Sequence, residues 1–206
     1  MDRLFAEKSE TPVVAFGDSI TEGVIGCTPE ENWLNRVQHA LGDRVRMFNA
    51  GVGGNSAREA MARFRGDVLS RNPRVVLLEF GGNNHDPRNR ARRVGDDEFR
   101  KHLSDFKRDL PEGCRVVVIT FPPIVDEWHA YGTHPDFPDG LDKAMDPQRE
   151  IVRTFARENG YVLLDLYRLM DKDRKRLIQR DGVHLNPDGQ KVFCEAVLKI
   201  FATMSN

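Results

Sequence analysis

Apolar positions fall into two alternating patterns along the chain. Five short aliphatic runs, at 13–16, 45–49, 75–80, 116–121 and 161–165, lack strict in–out alternation and read as strands covered on both faces. Between them, segments at 33–41, 57–69, 98–110 and 148–158 bring back an apolar residue every three or four positions, as amphipathic helices do. A last helix is expected over 187–204, with Asn186 as its N-cap and Pro187 in its first position. Strand and helix alternate throughout, so the pattern predicts an α/β fold, a three-layer αβα sandwich around a five-stranded parallel sheet. Trp33 and Phe48, in a helix and a strand, read as core residues.

In such a sheet, ligands bind beyond the carboxyl ends of the strands. Ser19 follows the first run, the glycine-rich 51–55 the second and 81–86 the third, while Asp181 and His184 come after the fifth, beyond a short intervening segment. No repeat, low-complexity tract or linker divides the 206 residues, which suit a single domain, 1–206. One connection is long: 122–147 is rich in Pro, Gly, Asp, aromatics and His, and loops of that length are often lids or binding loops.

Charge narrows the partners. Basic and acidic residues nearly cancel, for a formal net charge of -1, whereas a nucleic-acid protein usually carries a basic excess or stripe. The arginine-rich stretch 88–93 is flanked by Asp86 and the acidic 96–98, and reads as a solvated surface turn. Cys27, Cys114 and Cys194 are scattered and lack metal-ligand spacing, which fits a reducing compartment. The stretch 1–11 is polar and charged and no run is long enough to span a membrane. The expectation is a cytoplasmic protein, without a signal peptide, that binds neither nucleic acid nor membrane.

The chemistry lies in four places. Ser19 sits in Gly17-Asp18-Ser19-Ile20-Thr21-Glu22-Gly23, at a strand-to-helix turn, and Asp181-Gly182-Val183-His184 puts a carboxylate and an imidazole in one loop. A serine hydroxyl needs a base to take its proton, and the base needs a group to fix its tautomer. Oxyanion donors are available in Asn49-Ala50-Gly51-Val52-Gly53-Gly54-Asn55-Ser56 and in Gly81-Gly82-Asn83-Asn84. Each stretch alone also reads as a tight turn or a helix cap.

These blocks resemble, in order from about residue 13 to 190, the four sequence blocks of the SGNH, or GDSL-type, serine hydrolases. The stretch 78–83 is similar to the bacterial multifunctional thioesterase/lysophospholipase branch. The resemblance implies a flavodoxin-like sheet, with Ser19 as nucleophile, His184 as base and Asp181 as its partner. It also implies an oxyanion hole made of the Ser19 and Gly54 N–H groups and the Asn83 side chain, and no cofactor. Gly51 and Gly53 compete with Gly54 for that role. Where such sequences usually have Asp after the oxyanion Asn, this chain has Asn84, followed by His85 and Asp86. That Asp is read as structural, so the exchange should not abolish catalysis.

The expected substrate-binding residues are Asp18, Asn84, His85, Trp128, His129 and Tyr131. The activity so read is a serine esterase cleaving small-molecule short-chain acyl esters, acetyl groups on a carbohydrate among them, through an acyl-enzyme. A thioesterase or lysophospholipase acting on longer chains is the alternative. Nucleotide binding through Gly51-x-Gly53 lacks the third glycine, since Ser56 stands there, and a ribose-binding acid. A metal site built from His85, Asp86, His129 and His134 lacks ligand spacing, so no metal is expected.

Overall fold

The computed structural model describes residues 10–204; most of the charged stretch read as preceding the first strand lies outside them. In chain order the elements are β1 (Thr11–Gly17), α1 (Ser19–Glu22), α2 (Trp33–Leu41), β2 (Val45–Gly51), α3 (Ala57–Asp67), β3 (Val75–Glu79), α4 (Asp96–Asp109) and β4 (Arg115–Ile119). There follow α5 (Leu141–Ala144), α6 (Asp146–Asn159), β5 (Val162–Leu164), α7 (Leu166–Met170), α8 (Arg174–Leu177) and α9 (Pro187–Met204). The strands are all parallel in the order β2-β1-β3-β4-β5, the flavodoxin-like order, whose switch point lies between β1 and β3.

Alternate residues of each strand feed two cores, which is why the runs are apolar without a break. Val13 and Ala15 face Trp33 of α2 and Phe193 of α9, two rings stacked with centroids 4.2 Å apart. Val14 and Phe16 face α3, α4 and α6, with the Phe16 ring 5.1–5.6 Å from those of Phe64, Phe80 and Phe106. Phe48, on the edge strand, is half-buried, its ring covered by the Arg46 and Arg71 guanidinium groups. Asn186 caps α9 as expected, its Oδ1 accepting the Asp188 and Gly189 N–H groups at 3.0 Å. Among the described residues no helix is long and apolar enough to cross a membrane.

Three expectations need correction. β3 and β4 stop at Glu79 and Ile119, short of the runs, because Phe80 and Phe121 are buried without being paired; apolarity reports burial, not pairing. The segment after β5 is not short, holding α7, a 3-10 turn and α8. The arginine stretch is a solvated turn only over 88–91, which are exposed; Arg92 and Arg93 are tied down. Arg92 bonds Glu59, Asp86 and the Gly54 carbonyl, and Arg93 bonds Asp136 and the Asp86 carbonyl, so flanking Asp86 is joined by the distant Glu59 and Asp136 in neutralising it.

The 122–147 connection is a series of turns around α5, held from beneath by a buried arginine. Arg149 reaches the carbonyls of Phe121, Pro122 and Asp142 and the Asp142 carboxylate, at 2.7–3.3 Å, with only 1% of its side chain exposed. Asp142 also accepts the Ile124 N–H at 2.9 Å and Arg174 at 2.6 Å. Removing one partner of a buried pair typically costs about 3–5 kcal/mol, because the other charge is left desolvated. Arg149→Leu should therefore lower the unfolding free energy by about 3 kcal/mol in urea titration, and a loss within the ~0.5 kcal/mol of a surface substitution would refute the anchoring role.

Candidate active site

At the carboxyl end of β1 the chain turns directly into α1. Asp18 caps that helix, its Oδ1 accepting the Ile20 N–H at 2.9 Å, and Gly23 closes it in the left-handed region at φ 66°. Ser19, the first helical residue, is thus fixed against the end of β2. The two chains touch backbone to backbone there, since a Cβ on Gly51 would stand 2.2 Å from the Glu22 nitrogen.

The last loop comes back to meet Ser19. His184 Nε2 lies 3.0 Å from Ser19 Oγ, and His184 Nδ1 lies 2.6 Å from Asp181 Oδ2. The other carboxylate oxygen, Asp181 Oδ1, accepts the N–H groups of Val183 at 2.9 Å and His184 at 3.0 Å. Burial works to raise the Asp181 carboxyl, but those N–H groups and the imidazole outweigh it and hold it below the usual range. An ionised Asp181 places the ring proton on Nδ1 and leaves Nε2 free to accept from the serine hydroxyl.

Three donors converge beside Ser19. Among the described residues, the Ser19 and Gly54 N–H groups have no hydrogen-bond partner. The competing glycines are engaged: Gly53 donates to Glu22 Oε2 at 3.0 Å and Gly51 to Asn49 Oδ1 at 2.9 Å. Gly54 takes φ 76°, where a side chain would be strained. Asn83 Nδ2 donates one hydrogen to Asp18 Oδ2 at 2.9 Å and keeps the second.

Ser19, Gly54, Asn83 and His184 open into one cavity of about 280 Å³. His85, Arg88, His129 and Tyr131 form its polar side; Phe121, Ile124, Leu141, Met145 and Val183 form its apolar floor, and Ile25 its rim. Burial pushes both the His85 and the His129 imidazoles down, toward the neutral form. His129 Nδ1 accepts the Tyr131 N–H at 3.2 Å, so its ring proton is on Nε2.

The six residues expected to touch substrate divide evenly. His85, His129 and Tyr131 line the cavity, whereas Asp18, Asn84 and Trp128 do not. Asp18 is fully buried beneath Ser19. Asn84 turns inward, its Oδ1 accepting the Ala57 N–H at 3.0 Å and its Nδ2 donating to Gln148 Oε1 at 2.7 Å. Trp128 packs on the core with the Arg180 guanidinium 4.2 Å above its ring. Arg88 and the floor residues were missed, although Phe121 and Ile124 directly follow β4 and the carboxyl-end rule applies there too. Among the described residues, no three His, Cys, Asp or Glu side chains are grouped to hold a metal ion.

Residues 15–192 match the model of the GDSL-like lipase/acylhydrolase family. The chain belongs to that family. A GDSL-type acylhydrolase is a carboxylic ester hydrolase, and this chain is one. It is 25% identical to the uncharacterized lipoprotein YqeF of Bacillus subtilis over 90% of this chain and 87% of that protein. Against an acetylxylan esterase of Geobacillus stearothermophilus it is 24% identical, over 81% of this chain and 75% of the relative. The fold matches the crystal structure of a lipase/acylhydrolase from Enterococcus faecalis with a TM-score of 0.78 at 22% identity, covering 94% and 96% of the two chains. It matches that of the acetylxylan esterase Axe2 from Geobacillus stearothermophilus with a TM-score of 0.74 at 21% identity, covering 95% and 96%.

The amide at position 84 has a reason in this acylhydrolase. Gln148 already spends its own amide on the Val94 carbonyl at 2.8 Å, so its Oε1 needs a donor, and Asn84 supplies it. In Asn84→Asp two buried acceptors would face each other, at a cost of about 1–3 kcal/mol. Calorimetry should find the variant's Tm lowered at neutral pH and recovering as acid protonates Asp; an unchanged Tm would show that the pair is not needed.

Proposed function

We propose that this chain is a serine esterase that removes short acyl groups, acetyl above all, from a polar, sugar-like alcohol. One observation carries the reading: Ser19, His184 and Asp181 stand in hydrogen-bond contact beside free donors from Ser19, Gly54 and Asn83. In the proposed reaction His184 Nε2 takes the Ser19 proton as Oγ attacks the acyl carbonyl. The carbonyl oxygen becomes an oxyanion bound by the three donors, and Asp181 stabilises the imidazolium. The tetrahedral intermediate collapses by breaking its bond to the alcohol oxygen, which receives the proton from His184. Water then repeats the sequence on the acyl-serine, returning a carboxylic acid and free Ser19. This chemistry needs no cofactor.

The cavity's size and lining support the substrate class. About 280 Å³ is at the small end for a ligand site, and the neutral His85 and His129 beside Tyr131 and Arg88 offer hydrogen bonds to hydroxyls. The acetylxylan esterase among the relatives acts on an acetylated polysaccharide, as its name says, which supports the same class here. Three unpaired cysteines support a reducing, cytoplasmic setting. The apolar floor favours a second reading, hydrolysis of longer acyl esters or thioesters. Behind Phe121 and Met145 lies a further small void, reaching Phe80, Gln148 and Val152. Those two side chains thus set the depth of the acyl pocket.

Ser19→Ala should lose covalent labelling by a fluorophosphonate and cut aryl-acetate turnover by roughly 10⁶-fold, toward the level left when a nucleophile is deleted from such a triad. Retained turnover would remove Ser19 from the mechanism. In Phe121→Ala the chain-length profile from acetyl to decanoyl esters should move to longer chains; an unmoved profile would show that the acyl group lies elsewhere in the cavity.

A further inference from the structure

Beneath the candidate nucleophile two carboxyl groups share one dry pocket, and the reaction described so far uses neither. Asp18 and Glu79 are both fully buried and lie against each other. Gly17 makes the approach possible, because a Cβ there would stand 1.9 Å from Thr21 Oγ1 and 2.7 Å from the Glu79 carbonyl oxygen. Among the described residues, no lysine or arginine side chain bonds either carboxyl. The titratable and charged groups nearby are the His184 imidazole, above Asp18, and Arg63, which crosses from α3 to the Gly17 carbonyl at 2.7 Å.

Two ionised carboxylates without a cation cannot share such a pocket, so one proton must stay. The hydrogen bonds say where. Asp18 offers its oxygens to two N–H donors, Ile20 and Asn83, as an anion does. Glu79 Oε2 accepts the Thr21 hydroxyl, at 3.0 Å, and the Asp18 N–H also favours the Glu79 anion, but Glu79 Oε1 has no hydrogen-bond partner. A buried carboxyl oxygen that accepts nothing, beside a carboxylate, is the hydroxyl of an acid.

We propose that Glu79 is a positioning residue that keeps its own proton and donates it to Asp18, so that anionic Asp18 holds one hydrogen of the Asn83 amide and aims the other at the oxyanion. Burial pushes both groups up, Asp18 to about 6 and Glu79 well above its ordinary range, raised also by the neighbouring charge of Asp18. At high pH Glu79 would lose the shared proton, the two anions would repel, and the grip on Asn83 would fail. The inference rests on the serine-esterase reading, since it assigns Asn83 to the oxyanion.

The test compares wild type with Glu79→Leu and Glu79→Gln in aryl-acetate hydrolysis across pH, with thermal unfolding of each. Glu79→Leu gives Asp18 no donor and should lower kcat by roughly 10²-fold, about the effect of losing one oxyanion donor, with KM little changed. Glu79→Gln, whose amide can donate to Asp18 and accept from Thr21, should recover most of that loss. It should also lack the alkaline fall in kcat that wild type shows. A folded Glu79→Gln as impaired as Glu79→Leu, or one with the wild-type alkaline fall, would overturn the proposal. Should Glu79→Leu not fold, the alkaline limb of Glu79→Gln against wild type decides alone. Turnover in Ser19→Ala would sink the esterase reading itself; an inactive Ser19→Ala with an unaltered Glu79→Gln profile would sink only the role of Glu79.

Discussion

One hydrogen bond, from Ser19 Oγ to His184 Nε2, joins residues 165 positions apart, and the rest of the site is arranged around keeping it at 3.0 Å. The serine half is held by the sheet, since β1 lies between β2 and β3 and α1 follows it after a single residue. The histidine half has no strand of its own. It is held by an isolated bridge between Ile178 and Leu185, by the Gln179 N–H on the His184 carbonyl at 2.7 Å, and by the Val125 N–H on the Gly182 carbonyl at 2.9 Å. Gly182 packs so closely against the 122–147 connection that a Cβ there would stand 2.6 Å from the His129 nitrogen, in a backbone at φ 84°. That connection therefore does two jobs at once: it walls the cavity with His129 and Tyr131, and it braces the loop that carries His184.

The aspartates show how the same side chain is tuned in opposite directions within one site. Asp86 is buried, yet Arg88 and Arg92 at 3.0 Å more than offset its desolvation and hold its carboxyl below the usual range. Asp18 lies deeper, and its burial outweighs the neutral donors it meets, so it is pushed up instead. The difference has a structural logic. Asp86 ties the arginine stretch to the cavity wall, where cations cost little because they still reach solvent. Asp18 lies directly under Ser19, where a fixed guanidinium would oppose the positive charge that His184 develops in the proposed reaction.

Much of this was legible in the sequence, for identifiable reasons. Ser19, Asp181, His184 and Asn83 each sit at or beyond the carboxyl end of a strand, and the Asp181–His184 contact spans only three residues, so local spacing suffices to suggest it. Among Gly51, Gly53 and Gly54, spacing from Asn49 favours Gly54, but which N–H is left free is not written in the spacing. It depends on Glu22, 31 residues before Gly53, capturing one N–H and leaving another. Trp128 and Tyr131 look alike in a polar loop, but the turns between Val125 and His134 send one to the core and the other to the cavity. Asn84 was recognisable as a departure, while its reason, the carbonyl of Gln148, lies 64 residues away. Contacts of that separation leave no periodic trace in a single sequence.

In the proposed reaction, substrate choice and oxyanion geometry are mechanically linked. Gly82 lies flat on the Phe121 ring, close enough that a Cβ would stand 2.1 Å from a ring carbon. The next residue is Asn83, so the loop presenting the amide rests on the same ring that forms the cavity floor. Close-packed interiors transmit such displacements instead of absorbing them. A floor residue therefore cannot be trimmed to admit a longer acyl chain without loosening the support of the donor above it. On that argument, a chain of this kind reaches a new acyl specificity at some loss of kcat, unless a second substitution refills the space beneath Gly82.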